Sequence, residues 1–199
     1  MGILLRRILH CALLAPLSVG MTLAVAHASG AQSTPISESA LPIPLQLEEA
    51  RVYVPVRVHL GARGTAERWF ILDTGAQPTL LDIALADSMG ATVTPAGMTT
   101  GAGRGTTRVG GAGPLTLDVT GIPLGPLTVR VAPLDSLLGA TSGRSVPGVV
   151  GSRFFREHVV TLDFDSLVIH ASDPRTVRPP RDAIAVPLDV EGDIPYARA

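Results

Sequence analysis

The sequence predicts a mostly-β domain of barrel type, and three observations carry that reading. Short runs of β-forming residues recur along the chain, Gly- and Pro-rich turns separate them, and helical segments are few and short. With 199 residues, 46% of them hydrophobic, the chain has enough apolar material for one ordinary domain. About 170 residues bury roughly 70% of their unfolded surface.

Each element has a local reason. RVYVPVRVHL (51–60) alternates Val52, Val54, Val56 and Val58 against Arg51, Tyr53, Arg57 and His59, a period of two that predicts a strand with a polar face. GARGTAE (61–67) reads as a turn, and RWFILD (68–73) as a strand covered on both faces. In LLDIALADSMGA a short helix is predicted, with Asp82 as N-cap and Gly90 as its stop. PAGMTTGAGRGTTRVGGAGP (95–114) reads either as a disordered loop or as a mobile hairpin, since glycine permits tight turns at positive φ. Strands follow at 115–119 and 127–134, then a Gly/Ser loop at 139–147. A short apolar strand ends at Gly151, and a one- to two-turn helix follows with Ser152 as candidate N-cap. VVTLDF and LVIH form a hairpin around Asp165-Ser166. The predicted organisation is an N-terminal segment (1–31), a flexible tether (32–44), a lobe (45–170), a Pro/Arg linker (171–182) and a strand-like segment (183–199).

Residues 1–31 have the layout of an export signal: Arg6 and Arg7, an uncharged apolar run from Ile8 to Ala26, then small residues around Ala26-His27-Ala28. The alternative is an uncleaved anchor, because the run approaches the ~20 residues that span a membrane. The expected location is periplasmic or secreted, or the inner membrane if the segment is retained. Absence of lysine and asparagine is a composition typical of GC-rich bacterial coding.

Several chemistries are excluded by residue type. All sixteen basic residues are arginine, so P-loop and Schiff-base lysines are ruled out. The only cysteine, Cys11, lies in the N-terminal segment, leaving the lobe without disulfide or thiolate chemistry. A net charge of −1 and few aromatics argue against nucleic acid. His59, His158 and His170 lack ligand spacing, so neither metal nor cofactor is expected. GRSVP (143–147) misses the nucleophile-elbow pattern of serine hydrolases. Asp118, Asp163 and Asp165 are expected to be solvated at strand edges or turns.

Asp73 is the residue that needs explaining. It ends an apolar run, WFILDTGA, where an ionised carboxylate is costly unless compensated. It is either a turn aspartate after a core strand or a carboxylate held in a sheltered place for chemistry. An apolar strand ending in Asp73-Thr74-Gly75-Ala76 resembles the active-site loop of retropepsin-like aspartic proteases. The GVVG of 148–151, with Val149, Val150 and Gly151 before a short helix, resembles that family's second hydrophobic-Gly loop. A glycine-rich candidate flap with Gly101, Gly103 and Gly105 lies between them, in the family order. Gln77-Pro78 departs from the pattern, which more often has a small hydroxyl residue there.

The resemblance covers about residues 45–170 and implies a closed β-barrel lobe with one or two short helices. It also implies Asp73 as a catalytic carboxylate, Thr74 as a tie to a partner loop, and a polypeptide substrate. One Asp-Thr-Gly is half of such a site, and no second occurs in the chain. Two arrangements stay open. Two identical chains can each supply an aspartate across a two-fold axis, with 183–199 as an intersubunit strand. Alternatively, PLDVEGDIPY (187–196) against PLQLEEARVY (44–53) is the start of an internal repeat and of a second lobe. A competing function is a non-catalytic module of the same fold that binds extended peptides or an envelope partner along a sheet edge.

Overall fold

The computed structural model describes residues 8–11, 21–26, 42–61, 64–100, 106–181 and 183–198. The strands in chain order are β1 (Ile8–Cys11), β2 (Met21–Ala26), β3 (Ile43–Pro44), β4 (Gln46–Glu48), β5 (Arg51–His59), β6 (Thr65–Leu72), β7 (Leu80–Asp82), β8 (Thr94–Thr100), β9 (Thr106–Val119), β10 (Ile122–Ala132), β11 (Gly148–Val150), β12 (Val159–Asp163), β13 (Val168–Ser172), β14 (Ile184–Glu191) and β15 (Ile194–Ala197). Among the described residues three short α-helices interrupt them: α1 (Ile83–Ser88), α2 (Ala140–Ser142) and α3 (Ser152–Glu157). The fold is mostly β, as the strand pattern predicts.

The contacts divide the chain into two compact units, Gln46–Ser152 and a unit of Met1–Leu45 with Arg153–Ala199. In the first, an eight-stranded sheet runs β4-β5-β6-β11-β7-β10-β9-β8. An added antiparallel pairing of β5 with β9, through Arg57↔Asp118, Val58↔Leu117 and His59↔Thr116, joins the sheet to itself as a ring. Alternation supplies the buried side: Val54, Val56 and Val58 of β5, Leu115, Leu117 and Val119 of β9, and Val129 and Val131 of β10. Phe70 of β6 is fully buried among the largest of these, which is worth about 1.5–3 kcal/mol for such a side chain.

Tyr53 departs from the polar face expected of β5. It is fully buried in a cluster with Ile71, Val109, Ala132, Leu134, Val146 and Val149, and the Arg144 guanidinium lies over its ring at 4.8 Å from the centroid. An aromatic ring can join a core from a nominally polar position when a cation caps its face. The strand of 68–73 is covered on both faces only near its end, where the consecutive residues Phe70 and Ile71 are both buried.

The glycine-rich stretch after α1 is an antiparallel hairpin of β8 and β9. Its candidate flap residues Gly101, Gly103 and Gly105 lie outside the described residues. TGIPLGP, expected as a connection, is mostly strand: β9 and β10 pair through Ile122↔Val119 and Leu124↔Leu117, with irregularities beyond Leu124. The 139–147 loop is more structured than expected, because a π-helical turn at Asp135–Gly139 runs into α2.

The second unit holds the antiparallel sheet β15-β14-β2-β1-β12-β13-β3. The predicted hairpin of β12 and β13 is present, and the strand-like C-terminal segment holds a further hairpin of β14 and β15. The described parts of the N-terminal segment are strands β1 and β2. Among the described residues no helix is long and apolar enough to cross a membrane.

Candidate active site

Asp73 directly follows β6, whose last residues pair in parallel with β11 through Ile71↔Val149 and Leu72↔Val150. The Asp73 N–H extends that ladder by donating to the Val150 carbonyl at 3.0 Å. The apolar run therefore delivers its aspartate beside the glycine loop because both are neighbouring strand ends.

Beyond Asp73 the chain turns sharply. The Gly75 N–H donates to Asp73 Oδ1 at 2.8 Å, and the Ala76 N–H to the Asp73 carbonyl at 3.4 Å. This is an Asx turn, in which an aspartate side chain stands in for a backbone acceptor. The Asp73 residue is exposed, Thr74 is half-buried and Gly75 is exposed. The bond to Gly75 compensates the carboxylate without removing it from solvent. Gln77-Pro78, the departure from the family pattern, is joined by a cis peptide bond.

The two loops are also tied past their strand pairing. The Ser152 N–H donates to the Ala76 carbonyl at 2.9 Å, and the Gly151 N–H to the buried Thr79 hydroxyl at 3.3 Å. Thr79 in turn accepts from the Arg130 N–H through its carbonyl at 3.1 Å. Ser152 is the first residue of α3 in the structure, inside the helix rather than capping it. Gly151 is needed for the close approach. A β-carbon there would lie 2.5 Å from the Ala76 carbonyl oxygen, and one at Gly148 would enter the Phe70 ring.

Behind the turn, Asp82 fulfils its expected role. It is buried, its Oδ1 accepts from the Ala84 N–H at 2.8 Å as N-cap of α1, and its Oδ2 accepts from the Asp135 N–H at 3.3 Å. The Asp135 carboxylate accepts from the Ser145 hydroxyl and from the Val146 N–H at 2.6 Å. These bonds anchor the segment that leads into the glycine loop. The sequence offers a signal for Thr79 in QPTLLD, a polar residue opening an apolar run. It offers none for the link between Asp82 and Asp135, which are far apart in the chain.

Among the described residues, no group of three or more His, Cys, Asp or Glu could hold a metal ion. The structure thus brings Asp73, Thr74, Gly75 and Ala76 against Val149, Val150 and Gly151. It brings no second Asp-Thr-Gly turn to them, since the chain has none.

The family model described as aspartyl protease matches residues 54–154, half of the chain, and its match includes both loops. The chain belongs to this aspartyl protease family. The family is of retropepsin-like type, and membership supports an aspartic protease-type hydrolase function in general terms. No curated protein matches this aspartyl protease family member. The matched span lies almost wholly in the unit Gln46–Ser152, so the ring and the two tied loops are the family's part of the chain.

Proposed function

We propose that the protein is an aspartic endopeptidase that hydrolyses peptide bonds with a water activated between Asp73 and an aspartate of a second subunit or lobe. The observation that carries this reading is the hydrogen-bonded pairing of the Asp73 turn with the 148–151 loop, inside the span matched by the aspartyl protease family. Two carboxylates at close range share one proton and titrate as a unit, the known behaviour of aspartic protease dyads. The ionised member takes a proton from water as the oxygen attacks the scissile carbonyl carbon. The protonated member gives its proton to the carbonyl oxygen. Collapse of the tetrahedral intermediate passes a proton to the leaving amine and breaks the C–N bond. Such acid–base assistance contributes roughly 10²–10⁴-fold.

Each tie described above has a use in this scheme. The Gly75 N–H on Asp73 Oδ1 orients the carboxylate, and the bonds at Ala76 and Thr79 hold the turn against the glycine loop. The proposal includes export, on the basic and apolar layout of residues 1–31.

The test is cleavage of an unbiased peptide library from about pH 3 to 7, the range in which a coupled carboxylate pair titrates. Asp73→Asn is expected to abolish cleavage. A variant that cuts as fast as the parent would sink the proposal. An intact, folded protein that binds extended peptides without cutting them would instead identify a binding module.

A further inference from the structure

The β14–β15 hairpin is a geometric copy of the β4–β5 hairpin. PLDVEGDIPY (187–196) runs against PLQLEEARVY (44–53) without a gap, at a constant offset of 143 residues from Pro44 to Pro187. The proline, first leucine, glutamate and tyrosine are identical. The pairs Gln46↔Tyr53, Leu47↔Val52 and Glu48↔Arg51 recur as Asp189↔Tyr196, Val190↔Pro195 and Glu191↔Ile194, each displaced by that same offset. The turns correspond as well. Glu49 and Ala50 have φ of 46° and 59°, Gly192 and Asp193 have φ of 54° and 67°. Two successive residues at positive φ mark the type I′ hairpin. That turn is common, so alone it carries little. Its weight comes from falling at the offset set independently by the sequence identities.

The copies differ in their surroundings. In the first, Arg144 is clasped by one face of the hairpin: its guanidinium lies over the Tyr53 ring and donates to Gln46 Oε1 at 2.7 Å and Glu48 Oε1 at 3.0 Å. The second hairpin repeats that face as Asp189, Glu191 and Tyr196. Its tyrosine is 49% exposed where Tyr53 is fully buried, and Asp189 pairs with the exposed Arg198 at 3.0 Å. An aromatic ring beside two acidic side chains is a receptor for a guanidinium. On its other side β14 pairs with β2, so among the described residues β15 is the strand that ends the sheet.

We propose that β14–β15 is the opening hairpin of a second protease lobe on the same polypeptide. That lobe carries an arginine that packs on Tyr196 as Arg144 packs on Tyr53, and it supplies the partner aspartate for Asp73. The aspartate's catalytic role rests on the proteolytic reading above; the lobe's existence does not.

The test isolates the protein from its own cells with an antibody against residues 46–152 and reads its mass and peptide sequence by mass spectrometry. The expected result is a polypeptide heavier than 20.6 kDa. Its peptides continue past Ala199 into an apolar run ending in Asp-Thr-Gly or Asp-Ser-Gly, followed by an arginine shortly before a hydrophobic-Gly loop. A protein of 20.6 kDa or less, or a continuation without those motifs, overturns the inference. Peptide cleavage by the same preparation is read separately. An inactive protein with the second motif keeps the lobe and removes the proteolytic reading. An active one without further chain, whose specific rate rises with concentration, keeps proteolysis and replaces the lobe with a second identical chain.

Discussion

Gly151 is the residue on which the two loops meet most tightly. A methyl group there would lie 2.5 Å from the Ala76 carbonyl oxygen and 3.2 Å from the Thr79 nitrogen, both backbone atoms with little room to yield. Gly151→Ala is therefore expected to cost about 1–3 kcal/mol, the usual range for overpacking, and to lower peptide cleavage by displacing the Asp73 turn. Denaturant unfolding with the peptide assay checks both. Unchanged stability would mean that the loops separate freely. Asp73, Gly75 and Gly151 were legible as letters because their contacts are made by backbone and by small size, which a short motif encodes. Tyr53 was not. Alternation set it on the polar face of β5, and the groups that bury it, Arg144 with Val109, Ala132, Leu134, Val146 and Val149, are remote in sequence.

At the scale of elements, legibility follows how local the stabilising contacts are. Helix α1 could be bounded from sequence because its caps are local. Asp82 accepts from Ala84, while Gly90 at φ 70° lets its own N–H reach the Asp87 carbonyl and the Ala91 N–H reach that of Ala86, the two bonds of a Schellman motif. The turn at Asp135–Gly139 falls between the strand of 127–134 and the loop of 139–147 in the sequence reading, because its anchors, Ser145, Val146 and Asp82, come from elsewhere in the chain. The Pro/Arg linker has a local turn of its own. The side chain of Arg175, then its N–H, bonds the Asp173 carboxylate and holds its pKa down to about 2, below the ordinary 3.8. A depressed acid contributes stability above its unfolded pKa and loses it as pH falls through the folded one. This turn is accordingly expected to hold above about pH 4 and to loosen toward pH 2. Asp173 is half-buried and its partner Arg175 is exposed, so the contribution is small and screened by salt. Carboxyl NMR titration of Arg175→Ala should move the Asp173 midpoint up toward 3.8; an unmoved midpoint would assign the shift to another group.

For the whole molecule, the mostly-β class and the order of strands were readable from periodicity and turn residues. The closure of the first unit was not, because nothing local in 57–59 or 116–118 announces that those segments pair. That closure also governs how the chain assembles. The segments joined by it lie about sixty residues apart, so the entropy of closing a long loop is spent before the ring's contacts return it, and such topologies fold in milliseconds to seconds rather than microseconds. Trp69, the single tryptophan, sits in β6 next to the Asp73 turn and reports this process directly. Stopped-flow refolding followed by its fluorescence is expected to show a slow final phase; complete recovery within microseconds would mean that ring closure is not limiting. A polypeptide with such a barrier spends measurable time with its strand edges unpaired, and in that interval it is open to chaperones, to proteases and to other copies of itself.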